Sequence, residues 1–374
     1  MSAGPLPATP DAAAFCRRLL RWYDEHARTL PWRGPTVTPY ETLVSEVMLQ
    51  QTRVETVRPK YAAFLERFPT VEHLASAPID DVLALWSGLG YYSRARNLHF
   101  AAGQIVSAGV FPSDMAGLRA LKGVGTYIAG AVGSIALGLP VPAVDGNLER
   151  VLARLVCSPG GRPLMTRVAE ALILGAPHRA GDINQALMDL GSGVCTPRAP
   201  SCASCPLEDI CQATRAADPT VWPEKKVRRK APLRVAVAGV MRDEAGRVLV
   251  GRRPPSGLFG GLFELPGLLL PKASRVPPGP TVLASAWLDR LGVEVDVQAS
   301  VGTVAHVLTH MRLTLHLFEV TGPPPEAAES FYDDLRWVSP EALDEMGIST
   351  LTRKALARLG PSPQQRLFTG RGPR

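Results

Sequence analysis

Apolar residues recur at helical spacing from residue 11 to about residue 190, with glycines and prolines between the runs. No stretch of this region alternates apolar and polar residues as a half-buried strand does. The pattern therefore predicts an all-helical region. An uncharged stretch at 123–144 is long enough to cross a bilayer, but five glycines and two prolines interrupt it. We interpret it as a buried helix with its turns and expect no membrane association.

The hydrophobic pattern changes after residue 234. Residues 235–241 and 247–250, apolar except for Arg247, flank a turn at 243–246, which predicts a β-hairpin. Residues 313–317 alternate leucine with polar residues as a half-buried strand does. Residues 281–291 have the pattern of a helix that ends at Gly292. We therefore predict an α+β fold for this part of the chain.

Both patterns and the length of 374 residues indicate two domains, because one hydrophobic core rarely serves so long a chain. We predict an all-α domain at 11–213, a linker at 214–234, an α+β domain at 235–359 and a disordered tail at 360–374. The net charge is +7, and the linker alone holds seven basic and two acidic residues. The first residues lack the basic and apolar regions of a secretory signal, so we expect a cytoplasmic protein.

Four of the six cysteines are clustered: Cys195, Cys202, Cys205 and Cys211 fall within 17 residues. In a reducing compartment such a cluster indicates a metal site rather than disulfides. Four thiolates can hold zinc or an iron–sulfur cluster. Common zinc ribbons pair two Cys-x2-Cys knuckles, whereas this run has one, but the residues alone leave both alternatives open.

One acidic residue lies on an apolar helix. Thr38, Pro39 and Glu41 form a helix-start signature, and the helix that follows is apolar around nearly its whole circumference, which predicts burial. Between Glu41 and Arg53 the only charged residue is Glu46. In apolar surroundings this carboxyl group would have a raised pKa and could hold a proton near neutral pH, as a general acid must. The alternative is a glutamate at a solvated gap.

Two further segments could line a binding site. Gly123, Val124 and Gly125 form a tight turn just before a helix, where a close backbone and free N–H groups suit a phosphate. An ordinary turn between helices is the alternative. Asp145 and Asn147 precede an amphipathic helix, so Asp145 could be its N-cap, a fixed anion facing a cleft, or both.

Six motifs occur in one order along the chain: Leu-Pro-Trp-Arg at 30–33, Ser-Glu-Val-Met-Leu-Gln-Gln-Thr at 45–52, Trp-Ser-Gly-Leu-Gly-Tyr-Tyr-Ser-Arg at 86–94, the Gly-Val-Gly turn, Val-Asp-Gly-Asn at 144–147 and Cys-x6-Cys-x2-Cys-x5-Cys. On these motifs the chain resembles the MutY-type adenine DNA glycosylases of the helix-hairpin-helix superfamily. The resemblance covers residues 11–213 and, more weakly, 235–359. It implies base-excision repair of double-stranded DNA, in which adenine mispaired with 8-oxoguanine or guanine is extruded and its N-glycosidic bond hydrolysed.

This resemblance also implies roles for individual residues. Glu46 would protonate the adenine, and Asp145 would stabilise the sugar cation or trap it covalently, with Asn147 and Tyr127 assisting. The bifunctional relatives hold lysine at the position of Tyr127, so a monofunctional enzyme without efficient strand cleavage is implied. The four cysteines would hold one 4Fe–4S cluster.

The same resemblance implies contacts with DNA. The residues implied as wedges at the duplex opening are Gln51, Leu89 and Tyr91, and the turn of Gly123, Val124 and Gly125 would hold phosphate. Arg198, in the loop between the first two cysteines, could also reach a phosphate, and a solvated surface arginine is the alternative. The basic linker would add a salt-sensitive, sequence-independent share of the affinity unless it is a mere spacer.

Segments 257–267 and 336–340 resemble the frame of a Nudix fold. Nudix hydrolases hold a divalent metal with several glutamates on the following helix, but here Asp289 is the only acid of that helix, so pyrophosphohydrolase activity is not expected. In the glycosylase family this domain recognises 8-oxoguanine. The 306–310 segment resembles the recognition loop, with Thr309 for the usual serine, Leu308 for the usual phenylalanine, and His310 beside them. An ordinary strand end is the alternative.

The sequence features fit three classes of function: a monofunctional adenine glycosylase, a Nudix-type nucleotide hydrolase with a helical DNA-binding appendage, and a DNA-binding protein that has lost catalysis. The missing glutamates oppose the second, and the retained Glu46 and Asp145 oppose the third. We expect a monomer without nucleotide cofactor, in the cytoplasm and associated with the nucleoid if the source is bacterial.

Overall fold

The computed structural model describes residues 5–216, 218–224, 231–271, 277–325, 330–339 and 342–359. Its contacts divide the chain into two compact units, Met1–Ala77 with Asn97–Val227 and Pro78–Arg96 with Arg228–Arg374. The predicted tail at 360–374 and the basic run at 225–230 lie outside the described residues. Within the described ranges, no helix is both long enough and apolar enough to span a bilayer.

Residues 11–213 are helical where the structure describes regular elements, as predicted. The helices are α1 (Ala12–His26), α2 (Pro39–Leu49), α3 (Val54–Arg67), α4 (Val71–Ser76), α5 (Ile79–Leu85), α6 (Ser93–Ala108), α7 (Met115–Ala120), α8 (Thr126–Ile135), α9 (Gly146–Leu155), α10 (Arg162–Ile173), α11 (Ala180–Asp189) and α12 (Gln212–Arg215). Apolar faces of α1, α9, α10 and α11 form one core of the first unit. Burial of these faces, rather than helix propensity, stabilises short helices of this kind.

Helix α2 starts with the predicted capping box. The Thr38 hydroxyl accepts a 3.2 Å hydrogen bond from the Glu41 N–H, and the Glu41 carboxylate accepts one of 2.7 Å from the Thr38 N–H. From Thr42 to Met48 every side chain is buried. The helix packs against α3 and α8, so its single mid-helix carboxyl group is carried into the interior of the unit.

Close packing joins α8 to the segment before α9. A Cβ atom on Gly130 would lie 2.1 Å from the carbonyl oxygen of Pro142, so only glycine permits this approach. The buried Asn184 of α11 binds both partners, because its amide donates 2.8 Å to the Ser134 hydroxyl and accepts 2.9 Å from the Ala143 N–H. The second half of α8 and the segment that leads into α9 are thereby fixed against each other.

The second unit is α+β, as predicted. Its strands are β1 (Leu233–Met241), β2 (Val248–Arg252), β3 (Phe263–Glu264), β4 (Gly267–Leu269), β5 (Asp296–Val307), β6 (Arg312–Thr321) and β7 (Asp334–Val338), and its later helices are α13 (Pro280–Leu291) and α14 (Thr350–Leu359). The described strands form two sheets of order β4-β1-β6-β5 and β3-β2-β7. Helix α13 ends at Gly292, with φ of 68°, and β6 buries its alternate leucines, both as predicted.

The predicted hairpin of residues 235–250 is wrong in its pairing. The turn exists, since the Asp243 N–H donates a 3.0 Å hydrogen bond to the Arg247 carbonyl. However, β1 and β2 belong to different sheets, and only Arg242, just after β1, forms an isolated bridge with Val248 in the described strands. Strand β1 is buried along most of its length and pairs with β4 on one edge and with β6, in parallel, on the other. With both edges taken, β2 pairs with β3 and β7 instead.

Residues Pro78–Arg96, which the sequence places in the helical domain, make their contacts within the second unit. The Tyr92 hydroxyl donates 2.7 Å to the Ile348 carbonyl, and Arg353 donates 2.9 Å to the Ser87 hydroxyl. Arg252 forms an ion pair of 3.0 Å with Asp80. This segment is therefore held on the C-terminal part by polar contacts at several points.

Candidate active site

A cleft of about 170 Å³ in the first unit brings together the four residues predicted to carry the chemistry. Glu46 from α2, Tyr127 from the first turn of α8, and Asp145 and Asn147 from the start of α9 all line it. They are separated by up to about a hundred residues in sequence, and the packing of α2 and α9 near α8 unites them.

Glu46 is buried rather than solvated, with 4% of its surface exposed. The Tyr127 hydroxyl donates a 2.6 Å hydrogen bond to its Oε2 atom. The pKa of Glu46 is raised to about 7, chiefly because burial disfavours the charged carboxylate; the Asp145 carboxylate adds to this effect, whereas the Tyr127 hydrogen bond and the Arg33 guanidinium oppose it. The group can therefore carry a proton near neutral pH.

Tyr127 remains protonated in this setting. Burial and the neighbouring Glu46 both raise the pKa of its hydroxyl well above the ordinary value. A hydroxyl that keeps its proton donates to a carboxylate and restrains the orientation of that side chain. Tyr127 thus fixes Glu46 at the wall of the cleft.

Asp145 is both an N-cap and a wall of the cleft, so the two interpretations of the sequence hold together. Its Oδ1 atom accepts 2.8 Å hydrogen bonds from the N–H groups of Asn147 and Leu148. The Asn147 amide donates 3.2 Å to its Oδ2 atom. These bonds hold a half-buried carboxylate in one orientation, as an electrostatic role at a developing cation requires.

Two arginines that line the cleft were not singled out from the sequence. Arg28 and Arg33 form ion pairs of 2.6 and 2.7 Å with the buried Asp189. Although burial raises the pKa of Asp189, the two guanidinium groups bring it below its usual value. Asp189 follows an apolar run at 186–188, the same signal that pointed to Glu46, and it could have been found in that way.

The predicted phosphate turn has the geometry of a tight connection. Gly123 has φ of +80°, and a Cβ atom there would lie 2.6 Å from the Asn97 Cβ atom. Val124 is buried, and Gly125 is the N-cap of α8, whose first turn has no side-chain cap. The Gln104 side chain accepts a 2.7 Å hydrogen bond from the Lys122 N–H and so supports the turn from α6.

The three implied wedge residues differ in exposure. Gln51 is exposed just after α2 and has φ of 56°. In the second unit, Leu89 is only 4% exposed, whereas Tyr91 is 41% exposed. The Tyr91 backbone is also left-handed, with φ of 46°. Two of the three thus adopt a conformation that side chains rarely take and that concentrates at functional sites.

Tyr91 meets the predicted recognition loop. Its hydroxyl donates a 3.1 Å hydrogen bond to the Thr309 hydroxyl, although 218 residues separate the two. Thr309 and His310 are exposed in the short connection between β5 and β6. Both line a cavity of about 570 Å³ that also includes Tyr91 and Leu308. The segment is therefore a strand end and a cavity wall at once.

All four clustered cysteines line one cavity with apolar side chains, among them Leu155 and Leu207. Arg154, 2% exposed, donates 3.2 Å to the Cys195 sulfur. In the described part of the chain, no three His, Cys, Asp or Glu side chains come close enough to hold a single metal ion. Four thiols around one cavity are a donor set that both an iron–sulfur cluster and a zinc ion accept.

The cysteine loop is connected to the cleft through Arg150. Its guanidinium donates 3.0 Å to the Cys195 carbonyl and 3.1 Å to the Asn147 side chain. Arg198, predicted to reach a phosphate, is exposed in the loop between Cys195 and Cys202.

Helix α13, whose residues the structure describes, does not offer the several carboxylates of a Nudix metal site. On α13 the single acid, Asp289, is exposed, and its neighbour Arg290 donates 2.9 Å to the Gly267 carbonyl and lies 4.1 Å from the centre of the Phe331 ring. A guanidinium beside this carbonyl repels a divalent cation. The residues therefore do not fit Mg²⁺.

Two family descriptions match successive parts of this chain. A family described as "HhH-GPD superfamily base excision DNA repair protein" matches residues 44–172, and one described as "NUDIX domain" matches residues 237–358. Among solved structures, a thermostable thymine-DNA glycosylase is similar over 55% of this chain and 97% of its own, with 27% identity and a TM-score of 0.49.

Curated relatives extend the similarity to nearly the whole chain. The adenine DNA glycosylase of Homo sapiens is 33% identical over 92% of this chain and 73% of its own length. That of Buchnera aphidicola subsp. Acyrthosiphon pisum is 34% identical over 91% and 96%. The structure has a helical HhH-GPD part with a buried glutamate and a fixed aspartate, followed by a Nudix-like part, as the sequence predicted. Together with these relatives, this shows that the chain belongs to the adenine DNA glycosylases.

Proposed function

We propose that this adenine DNA glycosylase acts on adenine paired with 8-oxoguanine or guanine in double-stranded DNA, and that it hydrolyses the N-glycosidic bond without efficient strand cleavage. The observation that carries the proposal is the shared cleft in which a buried, protonatable Glu46 is close enough to Asp145 for the aspartate to raise its pKa. One group can supply a proton and the other a fixed negative charge.

Departure of adenine requires both groups. As the bond breaks, the base gains negative charge and the deoxyribose becomes oxocarbenium-like, a division of labour known from O-glycosidases. Glu46, with a pKa of about 7, donates its proton to the extruded base, and Tyr127 holds the carboxyl in place. A general acid of this kind contributes ~10²–10⁴ in rate.

Asp145 then acts on the sugar. Its carboxylate, held by the N–H groups at the start of α9 and by Asn147, stabilises the cation or traps it covalently until water completes the hydrolysis. Because the carboxylate is oriented before substrate arrives, little reorganisation is needed during the reaction.

Absence of strand cleavage is supported by the composition of the cleft. Strand cleavage through a Schiff base needs an amine nucleophile. The cations among the described residues that line the cleft are Arg28 and Arg33, both ion-paired with Asp189, and Tyr127 stands where bifunctional relatives hold lysine. Borohydride treatment during turnover is expected to trap little covalent protein–DNA complex.

Three groups of residues are assigned to DNA recognition. We assign phosphate binding to the turn of Gly123 to Gly125, duplex opening to Gln51, Leu89 and Tyr91, and contact with the opposing 8-oxoguanine to the Thr309–His310 loop. The 3.1 Å hydrogen bond between the Tyr91 and Thr309 hydroxyl groups supports a common DNA-facing surface for Tyr91 and the Thr309–His310 loop. Arg198 is proposed as an additional phosphate contact.

For the cysteines we propose one 4Fe–4S cluster held by Cys195, Cys202, Cys205 and Cys211. A bound cluster would order the loop of residues 195–211. Support comes from the cavity that all four cysteines line and from the 3.2 Å hydrogen bond that Arg154 donates to the Cys195 sulfur. Iron and sulfide analysis of anaerobically purified protein tests this assignment, and stoichiometric zinc would contradict it.

The function is tested by single-turnover excision from duplexes with adenine opposite 8-oxoguanine, guanine or thymine. Fast excision opposite 8-oxoguanine, slower excision opposite guanine and minimal excision opposite thymine are expected. Equal rates opposite all three would contradict the proposed substrate. Incubation with 8-oxo-dGTP and Mg²⁺ tests the alternative of a Nudix-type nucleotide hydrolase, and release of pyrophosphate would support that alternative.

A further inference from the structure

Arg94 is a buried arginine at the end of the 86–94 motif, and the proposed function gives it no task. It is 9% exposed, and its guanidinium group lies 5.4 Å from the centre of the Trp86 ring and 5.6 Å from that of Tyr91. Burial lowers its pKa to about 10, which still leaves it charged at neutral pH. Desolvation of a charge is unfavourable unless its hydrogen bonds compensate.

Those hydrogen bonds go to the loop that carries two of the proposed wedges. One Nη atom of Arg94 donates 2.8 Å to the Leu89 carbonyl and 3.1 Å to the Gly90 carbonyl. The Trp86 indole N–H donates 3.1 Å to the same Gly90 carbonyl. The loop is thus held from inside by one cation and one indole.

The backbone that Arg94 holds is unusual. Gly88, Gly90 and Tyr91 have φ of 90°, 69° and 46°. Glycine adopts such angles readily, but a tyrosine does so only when its surroundings enforce them. The contacts of Arg94 with the two carbonyls and the Tyr91 ring enforce this conformation, which leaves the Tyr91 ring exposed and its hydroxyl on Thr309.

We propose that Arg94 is a positioning residue for duplex opening: by holding the carbonyls of Leu89 and Gly90, it presents the exposed Tyr91 ring as a preformed wedge. The inference rests on the proposed function and adds to it a specific step. A wedge that is rigid before DNA arrives loses less conformational entropy on insertion, so more of the binding energy is left for extrusion of the base. Arg94 touches neither base nor sugar in this role and leaves the chemistry itself unchanged.

The test compares two duplexes that both place adenine opposite 8-oxoguanine. In one, all neighbouring pairs match; in the other, mismatches on both sides of the adenine lower the cost of extrusion. Arg94→Met, which keeps the length of the side chain but removes the charge and the donors, is expected to slow excision from the matched duplex at least about tenfold. Excision from the loosened duplex is expected to change little.

Fluorescence of 2-aminopurine in place of the target adenine reports extrusion without excision, and Arg94→Met is expected to lower it. Arg94→Lys keeps the charge but loses the planar guanidinium group with its several N–H donors. Its ratio of excision rates on the matched and the loosened duplex should lie between those of wild type and Arg94→Met. Arg17→Met, at an exposed arginine of α1, removes the same charge and should behave like wild type.

Equal slowing on both duplexes, or none, would overturn the role of Arg94. If Arg94→Met fails to fold by circular dichroism, Arg94→Lys decides: a wild-type ratio of rates together with wild-type 2-aminopurine fluorescence overturns the proposal. Failure of the proposed function looks different, because wild-type protein would then excise adenine from neither duplex, whereas the fluorescence would still report on the wedge.

Discussion

Substitution of Glu46 by glutamine should show separately what burial of this carboxyl group costs in stability and what its proton contributes to the rate of excision. Glutamine has nearly the same size, and its amide oxygen can still accept the hydrogen bond of the Tyr127 hydroxyl. It cannot ionise and cannot donate a proton as an acid does. The variant therefore keeps the shape of the cleft, loses the general acid and no longer places a charge in the interior.

The magnitude follows from the pKa. A rise from 4.5 to about 7 in the folded state, at ~1.4 kcal/mol for each pH unit, costs about 3 kcal/mol once Glu46 is fully ionised. Because the folded protein binds this proton more tightly than the unfolded chain does, the stabilising contribution is complete below pH 4.5 and is lost as the pH rises through about 7. Wild-type protein therefore loses this contribution over the window, whereas the glutamine variant has no such contribution to lose.

The assay is urea unfolding of the full chain at pH 5 and at pH 8. Glu46→Gln should exceed wild type by about 3 kcal/mol at pH 8 and by much less at pH 5, while single-turnover excision falls ~10²–10⁴-fold. Glu66→Gln, at an exposed glutamate of α3, is the matched control for loss of one charge. A variant no more stable than wild type at pH 8 would refute the reasoning, as would excision at the wild-type rate.

Further substitutions test the neighbours of Glu46. Tyr127→Phe removes a hydrogen bond that lowers the pKa of Glu46, so the alkaline limb of the pH–rate profile should move to higher pH; a move to lower pH would contradict this. Asp145→Asn removes an anion that raises the same pKa, so the limb should move to lower pH and the rate should fall. Its Oδ1 atom can still cap α9, so the melting temperature should change little, whereas Asp145→Ala should lose ~1 kcal/mol; equal stability of the two would show that the cap is unimportant. Cys202→Ser should yield protein with less iron and sulfide, and unchanged iron would exclude Cys202 as a ligand.

Local signals in the sequence predicted much of the site. The capping residues of α2, the single acid in its apolar run and the aspartate before α9 are all features of short segments, and burial of Glu46 follows from the apolar surroundings of one helix. The same kind of signal predicted the end of α13 at Gly292 and the alternation along β6. In each case the energetic cause lies within a few residues of its effect.

Pairing between distant segments could not be predicted in this way. Periodicity showed that β1 is a strand but not that β4 and β6 occupy both its edges, so the hairpin partner was wrong. Likewise, Asp189 binds Arg33 from 156 residues away, and neither residue alone indicates the other. The bond between Tyr91 and Thr309 depends on where Pro78–Arg96 packs, which no local pattern contains.

Gly130 shows how little separates a working cleft from a distorted one. A single methyl group at this position would stand 2.1 Å from the Pro142 oxygen, a distance that real carbon atoms do not tolerate, so the two backbones would have to part by close to an ångström. Tyr127, which holds Glu46 in place, lies in the first turn of α8, and Asp145 follows Pro142 by three residues. Misplacements of ~1 Å can cost ~10²-fold in rate. The distance between Glu46 and Asp145 in this repair enzyme therefore depends on the lack of a Cβ atom at Gly130.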